Sequence, residues 1–366
     1  MKNLLIKKDE ILRGLSKVSK TIGTNAATKG ICIQCDGNGN VILTSHNNKM
    51  QTFSKIKGEG PATAFLVDGR TFSSLITKAA DMGFDDFKLE VIDSTLEIKA
   101  GEMLVTKLSL LDIETFINFD MEKETKATIK VQGEPLQEAI YKTTFAVAVS
   151  DERPILQAIH CEIAKEQKLF CMTALDGYRI SHKEFLIDDF QGDEDVTINI
   201  PGNHLGFISS ELEGEIVIQV GEKIVSIATG DTIYKVLLIE GNYIEYRKMF
   251  PTEYETNVNV NLKEFLKAVN VCGVICDSKK KLVKLTIKDE TMTVSATNEK
   301  GNTDINLKIK QVGKDIEICF NIKYIEDIKY FDSEEVILNL SGPELPAIIM
   351  PADNTPQMYF ILPVRQ

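Results

Sequence analysis

The chain has 366 residues, of which 43% are hydrophobic and 26% are charged, a composition typical of a folded globular protein. At about 100–200 residues per domain, this length predicts two or three domains. The net charge is −12, from 54 acidic and 42 basic side chains, which disfavours a protein that coats nucleic acid with its whole surface. A basic face confined to one part of the surface is compatible with that total.

No apolar run approaches the roughly 20 residues that a membrane-spanning helix needs. Residues 1–8 contain only three consecutive apolar side chains, too few for the core of a secretory signal. We therefore expect a cytoplasmic protein that does not bind membranes.

Taken in chain order, the predicted elements repeat three times. Strands at residues 4–6, 128–131 and 257–260 are each followed by an amphipathic helix, and the copies are spaced by about 125 residues. A second helix is predicted about 60–70 residues further on in each copy, with Asp68, Asn203 and Asn321 as N-caps. Alternating apolar residues predict strands elsewhere, so each copy has the approximate order β-α-β-β-β-α-β-β-β.

This pattern predicts an α+β fold of three repeated domains. Each domain is expected to pack two helices on antiparallel sheet, because the connections between strands are of hairpin length. We place the N-terminal domain at residues 1–125, the central domain at 126–250 and the C-terminal domain at 251–366.

Basic residues recur on the first helix of two copies. At 100° per residue, Arg13, Lys17 and Lys20 form a stripe opposite the apolar face of the first helix. Lys263 and Lys267 stand at the equivalent places of the third copy, whereas the central copy has Glu138 and then Lys142. Such a row of cations can meet phosphates without reading bases, so any DNA binding is expected to be independent of sequence.

Motifs of catalysis and of metal binding are not apparent. The sequence contains no GxSxG, GxxxxGK[ST] or GxGxxG, and the four scattered histidines predict neither a metal site nor a cofactor. The seven cysteines are too few for a disulfide scaffold, and Cys32, Cys35, Cys272 and Cys276 are predicted to be structural thiols. We therefore expect a protein that is not an enzyme.

Four segments together resemble the family of the bacterial sliding clamp, the β subunit of DNA polymerase III. They are Glu-Arg-Pro-Ile-Leu at residues 152–156, Ala-Leu-Asp-Gly-Tyr-Arg-Ile at 174–180, Tyr-Arg-Lys-Met-Phe-Pro at 246–251 and Tyr-Phe-Ile-Leu-Pro-Val-Arg at 359–365. The resemblance covers the whole chain. It implies DNA-clamp domains, two chains joined head to tail into a homodimeric ring of six domains, and helices lining the hole.

The resemblance also implies the function and the partners. Such a ring encircles duplex DNA, is opened and closed by an ATP-driven clamp loader, and tethers the replicative polymerase, which gives processivity without catalysis. Partner proteins bind through a short peptide with glutamine and hydrophobic residues, in a pocket between the central and C-terminal domains.

Carried over residue by residue, the resemblance assigns three surfaces. The expected DNA-binding residues are Arg13, Lys17, Lys20, Lys29, Lys142, Arg153, Lys263 and Lys267. The expected peptide pocket consists of Leu156, Leu175, Gly177, Tyr178, Arg179, Ile180, Ile244, Met249, Phe360, Leu362, Pro363, Val364 and Arg365. The expected dimer seam consists of Thr106, Leu108, Cys272, Gly273, Val274 and Ile275.

The sequence departs from the family pattern in four places. Ile244 stands where a proline is frequent, Leu362 where methionine is frequent, and Gln366 where the last residue is usually hydrophobic. In the loop after the first helix, Lys29 alone can replace an arginine that relatives often carry.

Two other functions compete with this interpretation. A scaffold built from repeats could bind proteins only, in which case the basic stripes are solvated faces. Separately from that choice, the alternative to the peptide pocket is that Leu156, Ile180 and Leu362 are ordinary core residues. An enzyme with a site that sequence motifs do not reveal is the third interpretation.

Overall fold

The amphipathic runs of the sequence form helices in the computed structural model, which describes residues 2–119, 125–149, 152–276 and 281–365. Six α-helices lie in these residues: α1 (Lys8–Val18), α2 (Gly69–Asp81), α3 (Gly133–Thr144), α4 (Gly202–Ile208), α5 (Leu262–Ile275) and α6 (Ile322–Ile325). None of these helices is long and apolar enough to cross a membrane.

The alternating runs form 26 strands in the same residues. The first third contains β1 (Lys2–Lys7), β2 (Gly30–Cys35), β3 (Asn40–His46), β4 (Met50–Lys57), β5 (Thr63–Asp68), β6 (Asp86–Ile92), β7 (Thr95–Ala100) and β8 (Leu104–Leu111). The middle third contains β9 (Ala127–Gln132), β10 (Ala158–Ala164), β11 (Leu169–Leu175), β12 (Arg179–Leu186), β13 (Asp189–Gly192), β14 (Val196–Pro201), β15 (Glu215–Val220), β16 (Ile224–Thr229) and β17 (Thr232–Leu237). The last third contains β18 (Thr256–Asn261), β19 (Leu282–Lys288), β20 (Thr291–Asn298), β21 (Gly301–Lys308), β22 (Lys310–Gly313), β23 (Ile316–Asn321), β24 (Glu335–Leu340), β25 (Ala347–Pro351) and β26 (Gln357–Ile361).

The chain folds into two compact units. The first consists of Met1–Gly133, Asp189–Asp193 and Glu211–Leu238. Its strands form one antiparallel sheet in the order β1-β6-β7-β8-β5-β2-β3-β4-β17-β16-β15-β9-β13. β4 and β17 pair directly, with Phe53 opposite Ile233, so this sheet combines strands of the first and middle thirds.

The second unit consists of Glu134–Asp188, Glu194–Ser210 and Ile239–Gln366. It contains a nine-stranded sheet, β14-β10-β11-β12-β26-β25-β24-β18-β22, and a four-stranded sheet, β21-β20-β19-β23. β12 pairs with β26, with Ile180 opposite Phe360, so strands of the middle and last thirds share the larger sheet. The α+β class with antiparallel sheets is therefore confirmed.

The order of elements corrects the predicted repeat. Between its two helices the first third has four strands, and each of the other thirds has five, where three were expected. The additional strands include β13 and β22, each four residues long. β13 pairs with β9 and β22 pairs with β18, and these partners are the first strands of their thirds. Such short edge strands carry too few residues for alternation to reveal them.

Two of the three predicted N-caps are confirmed. The Asp68 carboxylate accepts a hydrogen bond from the Thr71 N–H, and the Asn321 side chain accepts one from the Lys323 N–H. The prediction for Asn203 is wrong, because α4 begins at Gly202 and Pro201 is its N-cap residue, without a side-chain hydrogen bond. Gly202 packs so closely on Val147 that an added Cβ would lie 2.6 Å from a Val147 methyl carbon.

The predicted apolar helix faces are buried. Ile11, Leu15 and Val18 of α1 pack into the core of the first unit. Phe265 and Val269 of α5 pack into the core of the second unit. The hydrophobic effect that fixes each helix on its sheet therefore comes from the face that helical periodicity identifies.

A buried ionic network joins four segments of the second unit. The Arg179 guanidinium donates to Asp176 Oδ2 (3.0 Å), to the Asp327 carboxylate and to the Phe145 carbonyl oxygen (2.8 Å). The Tyr359 hydroxyl donates to Asp327 Oδ2 (3.2 Å). The Arg179 and Asp327 side chains are less than 10% exposed, so each charge depends on the other for compensation.

We expect Asp327→Asn to destabilise the second unit by about 3–5 kcal/mol, because it leaves the buried Arg179 charge with one carboxylate fewer. The measurement is the free energy of unfolding from urea titrations. Glu245→Gln is the matched control, since the Lys248–Glu245 pair is largely exposed and its removal should cost about 1 kcal/mol or less. Similar small effects in both variants would contradict the role assigned to Asp327.

Candidate functional site

A tight turn between β11 and β12 positions the first group of predicted site residues. The Asp176 carboxylate accepts hydrogen bonds from the backbone N–H groups of Tyr178 (3.0 Å) and Arg179 (3.2 Å). Gly177 has a φ of +94°, in the left-handed region that glycine adopts at little steric cost. The Asp-Gly-Tyr-Arg sequence therefore closes a hairpin whose second strand begins at Arg179.

Six buried side chains form an apolar cluster beside this turn, which we call the groove floor. They come from β11, β12, β25, β26 and two short 3₁₀ helices (Pro154–Gln157 and Tyr246–Met249): Leu156, Leu175, Ile180, Tyr246, Ile348 and Phe360. None is more than 4% exposed. Four of the six were predicted for the pocket, and the structure brings all four together.

Less buried side chains surround the floor and form what we call the groove rim. Those packed against the floor are Ala148, Ile155, Tyr243, Ile244, Phe250, Met358 and Leu362. Tyr178 and Met249 are exposed, at 59% and 45%. Because the rim is apolar and accessible, it can offer hydrophobic contact area to a partner while the floor supports it.

The C-terminal segment is held against the same turn. The Leu362 N–H donates to the Tyr178 carbonyl oxygen (2.9 Å), and the Val364 N–H donates to the Cys319 carbonyl oxygen (2.8 Å). Pro363 and Val364 are half-buried, and Arg365 is exposed, where it pairs with Glu344 (3.4 Å). Gln366 lies outside the described residues.

Arg179, predicted for the pocket, is buried beside the turn. Its guanidinium is bound to Asp176, Asp327 and the Phe145 carbonyl, so its main contacts are within the chain. Sequence reasoning missed Tyr246 and Ile348 of the floor. The segment at 246–251 had drawn attention to Tyr246, whereas nothing distinguishes Ile348 from its buried neighbours in β25.

The basic stripe on α1 is neutralised by carboxylates of the first unit. Lys17 and Lys20 both form ion pairs with Glu211, and Arg13 pairs with Glu10 (2.9 Å) and Asp231 (3.5 Å). Partial burial alone would raise the pKa of the Glu211 carboxyl, but hydrogen bonds from the two lysines hold this pKa below its ordinary value. The stripe therefore carries less free positive charge than its sequence predicts.

The stripe on α5 differs. Lys263 and Lys267 are exposed, and neither has an ion pair with any residue that the structure describes. Both stand opposite the buried face of Phe265 and Val269. The charges of these two lysines are therefore accessible to a polyanion.

The remaining predicted DNA contacts have different surroundings. The Lys142 side chain is only 5% exposed, and its ammonium pairs with Glu138 (2.5 Å), on the preceding turn of α3. Arg153 is exposed beside the hairpin turn, where an added Cβ on Gly177 would lie 3.4 Å from its guanidinium nitrogen. Lys29 is half-buried and its charge contributes to lowering the pKa of Asp68.

The predicted seam residues at the end of α5 divide into two groups. Cys272 is buried in the core, and its thiol contacts the Val294 carbonyl oxygen (3.4 Å). Its position on the face of Phe265 and Val269 explains this burial. Val274 is 81% exposed, Gly273 is exposed and Ile275 is half-buried.

The predicted seam residues in the first third lie on β8. Thr106 and Leu108 are half-buried, and Leu108 packs against the core of the first unit. Met103 and Val105 nearby are 78% and 58% exposed. β8 pairs with β7 over most of its length but with β5 only at Leu110 and Leu111, so within the described residues part of one edge is unpaired. β21 is likewise at an edge of its sheet.

The structure also brings together groups that could hold a metal. Cys171, His182 and Glu184 each offer a ligand atom, and these atoms lie within 4.8 Å of one another. Sequence reasoning passed over this group, although His182 and Glu184 are two residues apart, as are His160 and Glu162. Of the four cysteines predicted to be structural thiols, Cys276 is half-buried and the other three are buried. Burial raises the pKa of the Cys32 thiol to about 11.

Comparisons with known proteins converge on one family. Residues 130–245 match the family model for the DNA polymerase III beta subunit, central domain, and residues 247–365 match the model for its C-terminal domain. The two matches together account for most of residues 130–365.

Similar proteins match over the full length. The chain is 26% identical to the Beta sliding clamp of Bacillus subtilis (strain 168) over 380 residues, covering 98% of each. It is 27% identical to the Beta sliding clamp of Staphylococcus aureus (strain Mu50 / ATCC 700699) over 384 residues, covering 100% of each. The crystal structure of the DNA polymerase sliding clamp from Bacillus subtilis superposes with a TM-score of 0.93 at 24% identity, covering 100% of this chain and 99% of that one.

Proposed function

Because this chain belongs to the family of the bacterial DNA polymerase III beta subunit, the sliding clamp, we propose that two copies join head to tail into a six-domain ring around duplex DNA. The family is a DNA sliding clamp that confers processivity on the replicative polymerase and has no catalysis of its own. The observation that carries the proposal is the match over the full length of chain and relative, since ring closure requires every repeat. Cytoplasmic replication of DNA is the expected setting.

We place the domains at residues 1–125, 126–250 and 251–366. The recurrence of a strand, a long helix, strands, a second helix and three more strands supports this division. The two family-model matches begin and end within a few residues of the central and C-terminal boundaries. The two compact units are a different division, because strands of the middle third join both of the large sheets.

The DNA-facing charge of this clamp is concentrated on α5. Lys263 and Lys267 carry free ammonium groups, whereas Lys17 and Lys20 share Glu211 as a counterion. A sliding ring needs only weak contacts with phosphates, because topological linkage prevents dissociation. Arg13, Lys29 and Arg153 are secondary contributors, and Lys142 is excluded by its burial.

Replacing both Lys263 and Lys267 by glutamate should reduce loading onto a nicked circular duplex by the clamp loader. The association constant for DNA falls as the salt concentration rises. Each lysine–phosphate interaction that is removed should make the slope of log association constant against log salt concentration less negative by about 0.9. Gel filtration of the clamp with the circle is the assay, and linearising the DNA should release the wild-type protein. Glu211→Gln should act in the opposite direction, because it removes the negative charge that pairs with Lys17 and Lys20.

Lys288→Glu with Lys310→Glu is the matched control, since it makes the same charge change at two exposed strand lysines. Loading that falls equally in both double variants would contradict the assignment to α5. If the wild-type protein stays on linear DNA as well as on circular DNA, or stays on neither, the ring is contradicted. Binding to neither form would favour a scaffold that binds proteins only.

The head-to-tail seam uses two exposed apolar surfaces and two strand edges. Met103 and Val105 lie on or next to β8, and Val271 and Val274 lie on α5. An unpaired strand edge offers backbone donors and acceptors to a second chain, so β8 of one copy and β21 of the other can extend each other's sheets. Thr106, Leu108, Gly273 and Ile275 flank these surfaces.

Val274→Asp should convert the dimer to a monomer, because it places a charge in an apolar interface that excludes water. Sedimentation velocity gives the mass. Val312→Asp is the control, since Val312 is exposed to a similar degree on β22, outside the proposed seam. If the Val274→Asp variant is still a dimer at a protein concentration at which the wild type is a dimer, the seam lies elsewhere.

The groove floor and rim form the pocket that receives partner proteins. We propose that the replicative polymerase, the clamp loader and other partners insert a short peptide with glutamine and hydrophobic residues. Its apolar side chains would pack on Ile244, Met249 and Leu362, and its polar groups would meet the exposed turn at Gly177. Ile244 and Leu362 replace the residues frequent in relatives, so the pocket keeps its apolar character with a different shape.

Met249→Ala and Leu362→Ala should each weaken the binding of such a peptide about tenfold, because each truncation removes about 1–2 kcal/mol of apolar contact. Isothermal titration calorimetry with a synthetic peptide provides the measurement. Met82→Ala is the matched control, since Met82 is exposed at the end of α2 in the first unit. Unchanged affinity in both groove variants would contradict the location of the pocket.

A further inference from the structure

The sheet face that carries the groove floor continues into a row of polar side chains. In the β11–β12 hairpin Leu175 faces Ile180, the next pair on the same face is Thr173 with His182, and the next is Cys171 with Glu184. Directly opposed residues of antiparallel strands point to the same side, and the side-chain period along a strand is two. The three pairs therefore form one continuous surface that changes from apolar to polar within two steps.

The polar end of this surface contains a close set of potential ligands. The His182 Nε2–H donates to Glu184 Oε1 (2.9 Å), and the thiol of Cys171 is hydrogen-bonded to Glu184. His182 Nδ1 and Thr173 Oγ1 are joined by a further hydrogen bond of 2.7 Å. Among the described residues this is the single group of three or more histidine, cysteine and acidic side chains whose ligand atoms are this close.

The charges around the group favour a cation. Burial raises the pKa of the Cys171 thiol to about 12, with further contributions from the Glu184 and Glu162 charges, so the thiol is neutral without a metal. The hydrogen bond from His182 lowers the pKa of Glu184, which keeps that carboxylate ionised. Thiolate and carboxylate together would supply two negative charges, which a divalent ion balances.

Neighbouring charged groups are already paired. Glu162, opposite Cys171 on β10, accepts hydrogen bonds from the Tyr246 hydroxyl (2.7 Å) and from Arg247 (2.6 Å). His160 lies one step along β10, stacked on Tyr243 and hydrogen-bonded to Asn199. Arg247 is therefore compensated by Glu162, and neither it nor His160 competes for the three ligand atoms.

We propose that Cys171 Sγ, His182 Nε2 and Glu184 bind one zinc-class divalent ion, with water as the fourth ligand. On binding, the thiol proton passes to solvent, and the His182–Glu184 hydrogen bond is replaced by two bonds to the metal. The imidazole stays neutral because its proton moves from Nε2 to Nδ1, which then donates to Thr173 Oγ1. The sulfur, nitrogen and oxygen donors suit zinc rather than magnesium or calcium, which prefer oxygen.

Known zinc geometry fits the arrangement. Zinc–sulfur and zinc–nitrogen bonds of about 2.3 and 2.0 Å place tetrahedral ligand atoms roughly 3.5 Å apart, so the three atoms need only small side-chain movements. The hydrogen bond between Nδ1 and Thr173 is the type of contact that orients a metal-bound imidazole. Glu184 is 35% exposed, which gives an ion access from solvent. A bound ion would clamp β11 to β12 beside the groove floor.

The test uses the purified full-length chain after removal of metal by a chelator. It is titrated with zinc chloride in competition with a chromophoric chelator, and cobalt chloride provides a spectroscopic probe. We expect one ion per chain, a thiolate-to-cobalt charge-transfer band and a rise in melting temperature with zinc. Affinity should increase with pH because Cys171 releases a proton on binding.

Cys171→Ser, His182→Gln and Glu184→Gln should each weaken zinc binding more than about 100-fold. His160→Gln and Cys161→Ser are matched controls that keep all three ligands, and both should bind like the wild type. Glu184→Gln alters a partly exposed side chain, so it should fold even if the two buried variants do not, which circular dichroism checks.

Three results would overturn the proposal. They are zinc binding by the wild type below one ion per chain at micromolar free metal, a cobalt complex without the thiolate band, and equal affinities in Glu184→Gln and the wild type. The zinc proposal does not rest on DNA encirclement. The result of the zinc titration therefore leaves the proposed clamp function undecided, and the result of the DNA-loading assay leaves the zinc site undecided.

Discussion

The buried guanidinium of Arg179 is the constraint on which the candidate protein-binding region depends. A charge with so little exposure needs compensation from nearby acceptors, and here two carboxylates and a carbonyl supply it. The rings of Phe145 and Tyr324 lie within 5.6 Å and 4.8 Å of its central carbon. The hairpin turn, the end of α3 and the helical segment of Asp327 are thereby fixed to one group. The groove floor begins one residue further along β12.

Helical periodicity predicted the fold well where one face of an element is buried. The faces of α1 and α5 follow from the sequence because a buried helix face must repeat every three to four residues. Short strands and the start of α4 did not follow in the same way. β13 and β22 exist because the first strand of each third has a free edge to pair with, and this is a property of the assembled sheet rather than of four residues. Pairing with a distant strand therefore determines these short strands, which the local pattern of apolar residues does not reveal.

The candidate site shows the same division between what a sequence pattern specifies and what packing decides. The Asp-Gly-Tyr-Arg motif located the hairpin and the groove, because an aspartate and a glycine at a turn have a local physical reason. It could not show that Arg179 points into the core, since Asp327 is 148 residues away. Helix position likewise predicted a cationic stripe on α1 without its counterion Glu211, which approaches from a distant part of the sequence. Charge on a helix face is available to a partner where it has no such ion pair, and within the described residues this holds for Lys263 and Lys267 of α5.

The groove floor and the Cys171, His182 and Glu184 group share one geometric requirement. Leu175 and Ile180 of the floor lie on the same face of the β11–β12 hairpin as the three potential ligands, and a shift of one residue in register would turn these side chains to the other face. The turn at Asp176 and Gly177 sets this register, and the ionic network of Arg179 holds the turn. A search for ligands close in sequence misses the group, because Cys171 and Glu184 meet only through this pairing. The residues that hold the groove in place therefore also bring the three potential ligands together.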